Sequence, residues 1–305
     1  MSADNIHNVI LALLLAAAML FSASAAATPE DDDTVIAQSL AEMLRAARTI
    51  VSDNQDLINN PDLGDKHLTG KVVVEQAAAI YAKGTGVDPA TIDQKTRHGR
   101  LLHAMMAAIE QVMEENQVTI NREGTGFKGF IPAVYARLVD EAFTDLAKGE
   151  AGAKVTAPPE LIRNRKARPD AWEAAIIQTK LLDPTWPKGQ SYSDTVETTG
   201  RPAFRVMVPE YYVASCLACH GSPKGEMDIT GYPKEGGNLD DLGAEISITH
   251  YHREDASWRA PDHVPADDPD TAGPTVGRAA RRAGCDEFLP DAETRRQFGQ
   301  DGSGR

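Results

Sequence analysis

The hydrophobic period of this chain changes once, and that change limits what it can fold into. Between Thr34 and Leu182 apolar residues recur at intervals of three and four; from Ser193 to Thr249 they alternate. The first pattern gives each of several helices one apolar face, and the second does the same for strands. Both sets of faces must be buried, so the two parts meet across a shared core. The expectation is an α+β fold: a helical N-terminal half packed on a small antiparallel sheet.

Within the first part, Ile36, Leu40, Met43, Leu44, Ala47, Ile50 and Val51 predict a helix over 34–60, with Asp33 or Thr34 as its cap and Asn59 to Gly64 as its stop. Further helices are expected over 71–82, 94–116 and 130–148, the last ended by Gly149. A shorter one over 171–182 opens at Pro169-Asp170. In the second part Thr195 and Glu197, then Ala203 to Val208, then Glu245 to Thr249 read as strands.

Between the last two strands stands Cys216-Leu217-Ala218-Cys219-His220. Two thiols three apart with an imidazole directly after them have the spacing that captures one haem covalently, each cysteine adding to a vinyl group and the histidine lying under the iron. Two other chemistries use Cys-x-x-Cys. A structural zinc site needs two more Cys or His ligands at loop spacing, and Cys285, His250 and His252 are far along the chain. A thioredoxin-like pair needs a helix opening at the motif, and Gly221 and Pro223 follow at once. The adjoining histidine separates haem attachment from both.

The N-terminus fits export, which covalent haem attachment requires. An apolar run over 9–21 is followed by Ser22 to Ala27, small residues of the kind a signal peptidase accepts, and then by acidic Glu30 to Asp33. The eight residues before the run lack Lys and Arg and include Asp4, unlike an ordinary leader. The expectation is a signal peptide over 1–27, or an uncleaved anchor in the same segment, and a periplasmic mature protein. Roughly 280 residues then remain, enough for a real core. A formal charge of -14 argues against nucleic acid and anionic lipid as partners. Beyond about residue 250 Arg, Asp, Pro, Ala and Gly dominate without period, so 251–305 reads as a disordered tail holding Cys285.

Several blocks carry a resemblance: Phe127 to Val134, Arg163-Asn164, Pro169-Asp170-Ala171-Trp172-Glu173, Pro202 to Val208, Cys216 to Gly221, Gly231-Tyr232 and Leu242 to Ser247. Together they resemble the Tll-type haem c-binding family, long known as a domain of unknown function. The resemblance implies a PAS-like fold over 28–250 with the haem-attachment loop between strands. It implies one covalent haem c on Cys216 and Cys219 with His220 as proximal ligand. It further implies an extracytoplasmic haem sensor that acts through a separate signalling or redox partner protein. A branch of the family uses an upstream cysteine as second axial ligand, and no cysteine precedes Cys216 here. Met43, His67, His98, His103, Met105, Met106, Met113, Met207 and Met227 remain formally available.

The expected function is therefore a mono-haem c-type redox or gas sensor module, with a periplasmic electron-transfer cytochrome c as the alternative. An enzymatic reading needs an open iron, a distal acid-base group and usually a second haem; a single attachment motif is present. Arg205, on the strand before the motif, is a candidate to pair with a haem propionate or else a strand arginine in solvent.

Overall fold

The computed structural model describes residues 29–198 and 200–251. The leader over 1–27, the tail from 252 onward, Cys285 and His252 lie outside the described residues. Eight α-helices and four strands are present among those described. Helix α1 is Pro29–Asp53, α2 Gln55–Ile58, α3 Gly70–Thr85, α4 Arg97–Glu115, α5 Gln117–Ile120 and α6 Pro132–Leu146. Strand β1, Ala151–Thr156, follows, then α7 at Ala171–Ile176 with a wider π turn over Ile177–Leu181. Strands β2, Tyr192–Thr198, and β3, Arg201–Tyr211, lead to the one-turn helix α8, Leu217–His220, and β4, Leu242–Tyr251, closes the fold.

The helix boundaries follow from their caps. Thr69 accepts a hydrogen bond from the Val72 amide at the start of α3, and Gly86 ends that helix in the left-handed region at φ 74°. Thr96 caps α4 through the Gly99 amide. Helix α6 starts at Pro132, whose missing N–H costs nothing in a first turn. The Asp170 side chain accepts from the Glu173 amide while Glu173 accepts from the Asp170 amide, a reciprocal cap that fixes the start of α7. At α1 the expectation fails: the helix begins at Pro29, and Asp33 pairs with Arg97 and with His250 Nδ1 at 3.1 Å instead of capping.

The sheet order is β1-β4-β3-β2, antiparallel throughout. Its alternation divides two cores. Phe204, Val206, Val208, Ile246 and Ile248 face the stripes of α1, α3, α4 and α6, where Leu40, Met43, Leu44, Leu102, Met105, Ile109, Met113 and Phe143 are buried. Met207 on the opposite face packs on Ile176, Ile177 and Leu181, with Trp172, Trp186 and Tyr192 around them. The expected α+β arrangement holds, with one strand added. Ala-Gly-Ala-Lys-Val-Thr has little strand propensity, yet β1 pairs over its whole length with β4.

Candidate functional site

The Cys216–His220 segment hangs from the middle of the sheet, in the connection between the neighbouring central strands β3 and β4. It is one 3-10 turn, Ala214–Cys216, running into the single turn α8, which stops where Gly221 leaves the helical region. The sequence pattern predicted no helix here; a single turn forms, and Gly221 and the Ser222-Pro223 pair keep it from continuing. Helical spacing of three sets Cys216 and Cys219 on one side of that turn. Both are free, half-buried thiols. An added Cβ at Gly221 would lie 2.5 Å from the Leu217 carbonyl oxygen, so glycine is required for the close return.

Arg163, in the loop after β1, fastens the motif to the rest of the connection. Its Nε and Nη2 donate to Glu235 at 2.8 and 3.0 Å, its Nη1 to Asp228 at 2.6 Å, and Nη2 also to the Cys219 carbonyl at 3.0 Å. Its guanidinium lies 5.5 Å from the centre of the Tyr232 ring. Glu235 reaches His220 Nδ1 at 2.9 Å, and the Gly237 amide donates to the His220 carbonyl at 2.7 Å. Burial works to raise the Glu235 carboxyl, but the hydrogen bonds from Arg163 hold it below its usual range. Burial and the Arg163 charge lower His220 against the pull of Glu235. An ionised carboxylate only accepts, so a neutral imidazole carries its proton on Nδ1 and presents Nε2 as a lone-pair donor.

The donor set fits an iron porphyrin. Two free thiols sit beside an imidazole whose Nε2 has no hydrogen-bond partner among the described residues, while a carboxylate fixes the other nitrogen as in histidine-metal sites generally. Burial and the nearby Asp228 carboxylate push the Cys219 thiol up, which disfavours the thiolate that a redox pair would use. Among the described residues no group of three or more His, Cys, Asp or Glu side chains is placed to hold a bare metal ion.

Tyr212 completes the site. Its ring stacks on the His220 ring with centroids 5.1 Å apart and 19° between planes. Two glycines leave room for it: a Cβ at Gly243 would come within 2.1 Å of Tyr212 Cε1, and one at Gly237 within 2.6 Å of Cε2. Gly243→Ala is therefore expected to displace Tyr212 from the imidazole and cost about 1–3 kcal/mol as overpacking. The checks are loss of the ring-to-ring nuclear Overhauser contact and a lowered denaturation midpoint.

Arg205 does not lie in solvent. It is buried on the face of β3 opposite the helical core, bonded to Asp170 at 2.8 Å and Glu173 at 3.0 Å, with its guanidinium 4.3 Å from the centre of the Trp172 ring. These partners come from the Pro169 to Glu173 block, not from the motif. Met43, Met105 and Met113 are core, and Met207 fills the second core. His98 Nε2 is held by Ser39 at 2.7 Å, His67 is exposed, and Met227 is exposed in the connection itself. Sequence reasoning missed Asp228 and Glu235 altogether. Arg163 stood beside Asn164 in a family-like block but had no role attached.

Of known families, the Tll0287-like family matches over residues 27–250, most of the chain. No curated protein and no solved structure matches it.

Proposed function

This chain belongs to the Tll0287-like family, and we propose that it is an exported mono-haem c protein serving as a redox or gas sensor module, not an enzyme. One observation carries the reading: Glu235 holds His220 Nδ1 at 2.9 Å, which leaves Nε2 as the lone-pair nitrogen on the turn that also bears both free thiols. In this reading Cys216 and Cys219 form the two thioether links and His220 Nε2 is the proximal ligand. When bound, a haem supplies a one-electron couple and, where an axial position is open, a site for a diatomic gas.

The residues of this chain then have separable tasks. Glu235 keeps the Nδ1 proton in place and makes the imidazole a stronger donor. Arg163 pairs with both Glu235 and Asp228 and pins the Cys219 carbonyl, so the turn keeps its place beside the loop over 226–237. Tyr212 limits rotation of the imidazole. Arg205 belongs to the packing of α7 on the sheet, and a propionate partner is better sought elsewhere. The PAS-like architecture, the periplasmic location and a separate signalling or redox partner belong to the same proposal. The apolar leader and the family membership support them. Among the described residues no helix is long and apolar enough to cross a membrane.

Mass spectrometry of the mature exported polypeptide should find one added macrocycle, and a Cys216→Ala/Cys219→Ala double variant should be colourless. A double variant as red as its parent, or a parent of bare polypeptide mass, overturns the reading. Spectra of the oxidised, reduced and carbon monoxide-treated protein then divide the roles. A reduced low-spin band that ignores carbon monoxide makes the protein an electron carrier, and turnover with peroxide or nitrite makes it an enzyme.

A further inference from the structure

The connection between β3 and β4 withdraws two carboxylates and leaves several large aliphatic side chains in the open. The Asp228 side chain is fully buried and that of Glu235 is 20 % exposed, both against Arg163, while Lys224, Glu226, Asp240 and Asp241 are exposed. Its large aliphatic side chains turn outward. Val213, Met227, Ile229 and Leu239 are 58 %, 59 %, 61 % and 58 % exposed, and Leu217, inside the motif, is half-buried. Single exposed apolar residues are ordinary on any surface. Four in the one connection that carries the attachment motif mark a surface that a ligand can cover.

We propose that Val213, Met227, Ile229 and Leu239 form the apolar wall against which the covalently held macrocycle lies. The inference rests on the haem c reading and extends it from the anchors to the residues that shield the group. Continuity with the anchors identifies the occupant. Val213 and Ala214 lead straight into Cys216. The Asp240 amide donates to the Tyr212 carbonyl and the Tyr212 amide to the Asp241 carbonyl, each at 2.9 Å, which brings Leu239 alongside Val213. Met227 and Ile229 flank Asp228, and Asp228 is tied to Arg163, whose guanidinium also holds the Cys219 carbonyl. Two attachment points thus lie among the four residues. A flat, mostly apolar disc fastened there is the ligand whose chemistry suits them.

The experiment uses the haem-loaded protein with Met227→Ser, Ile229→Ser and a Val213→Ser/Leu239→Ser pair. Because these side chains are exposed, serine should leave folding and haem attachment unchanged. Water then gains access to the macrocycle, so the midpoint potential should fall and the Soret band should shift in at least two of the three variants. In the parent, nuclear Overhauser contacts should join haem substituent protons to the methyl groups of Met227 and Ile229. Potentials and spectra equal to the parent's in all three variants, with no such contacts, overturn the wall and make the patch a surface for another protein. A parent without haem defeats the haem c reading as well and is told apart by mass alone.

Discussion

Arg163→Ala is expected to destabilise the protein by about 3–5 kcal/mol and, on the haem c proposal, to lower the yield of haem-loaded chain. The guanidinium pairs with two carboxylates at once. Asp228 has no exposed side-chain surface and Glu235 little, so removing their common partner leaves negative charge where water cannot solvate it. The Cys219 carbonyl loses its donor at the same stroke. Against a total stability of about 5–15 kcal/mol such a loss is large. Arg163→Lys keeps the charge but not the fork that serves Glu235 through two nitrogens and Asp228 through a third. It should fall between alanine and parent. Denaturant titration of all three proteins, beside haem absorbance per mole of chain, checks both. An alanine variant as stable and as red as its parent would show that the ion cluster does not hold the motif.

Glu245→Gln is expected to stabilise the protein at pH 8 by about 2–4 kcal/mol and to change little at pH 4.5. Glu245 lies on β4 facing away from the helical core; it is fully buried, and neither carboxyl oxygen has a hydrogen-bond partner among the described residues. Burial pushes its carboxyl up to about 8, and Glu173, Glu160 and Glu210 add to the rise. The folded chain therefore keeps this proton up to about pH 8, whereas the unfolded chain releases it near 4.5. Across that window the folded state binds more protons, so stability falls as pH rises, by at most about 1.4 kcal/mol per unit. An uncharged amide removes this slope. Asp140, raised to about 7 by burial, slopes the same way and should leave the variant a weaker dependence. Unfolding free energies at half-unit steps from pH 4.5 to 8.5 test the sign. Parallel curves for parent and variant would refute it.

The helical half was legible in the sequence because its stripes are local. The core face of α4 through Leu102, Met105, Ile109 and Met113 follows from spacing alone, and Asp170 announced α7. Strand β1 carries no such mark: alanine and glycine occupy half of it, and only pairing with β4, nearly a hundred residues on, makes it a strand. The same limit applies at the site. The motif marked Cys216, Cys219 and His220 in a run of five residues. Arg163 and Glu235 meet across 72 residues of chain, and only the assembled fold brings them together. The solvent reading of Arg205 failed for a related reason. Strand alternation placed it opposite the core, which reads as solvent, whereas α7 covers that face and provides Trp172 and Glu173.

The outer rim of the sheet has a consequence for how the chain behaves among its own copies. Strand β2 pairs with β3 on one side only, among the described residues, and most of its side chains are exposed. An open row of backbone amides and carbonyls of this kind is a template for adding a stranger's strand. The residues on it are Tyr192, Ser193, Asp194, Thr195, Val196, Glu197 and Thr198. Two carboxylates in seven positions make it repel an identical edge. Even when crowded, copies of this protein should thus stay apart at this border.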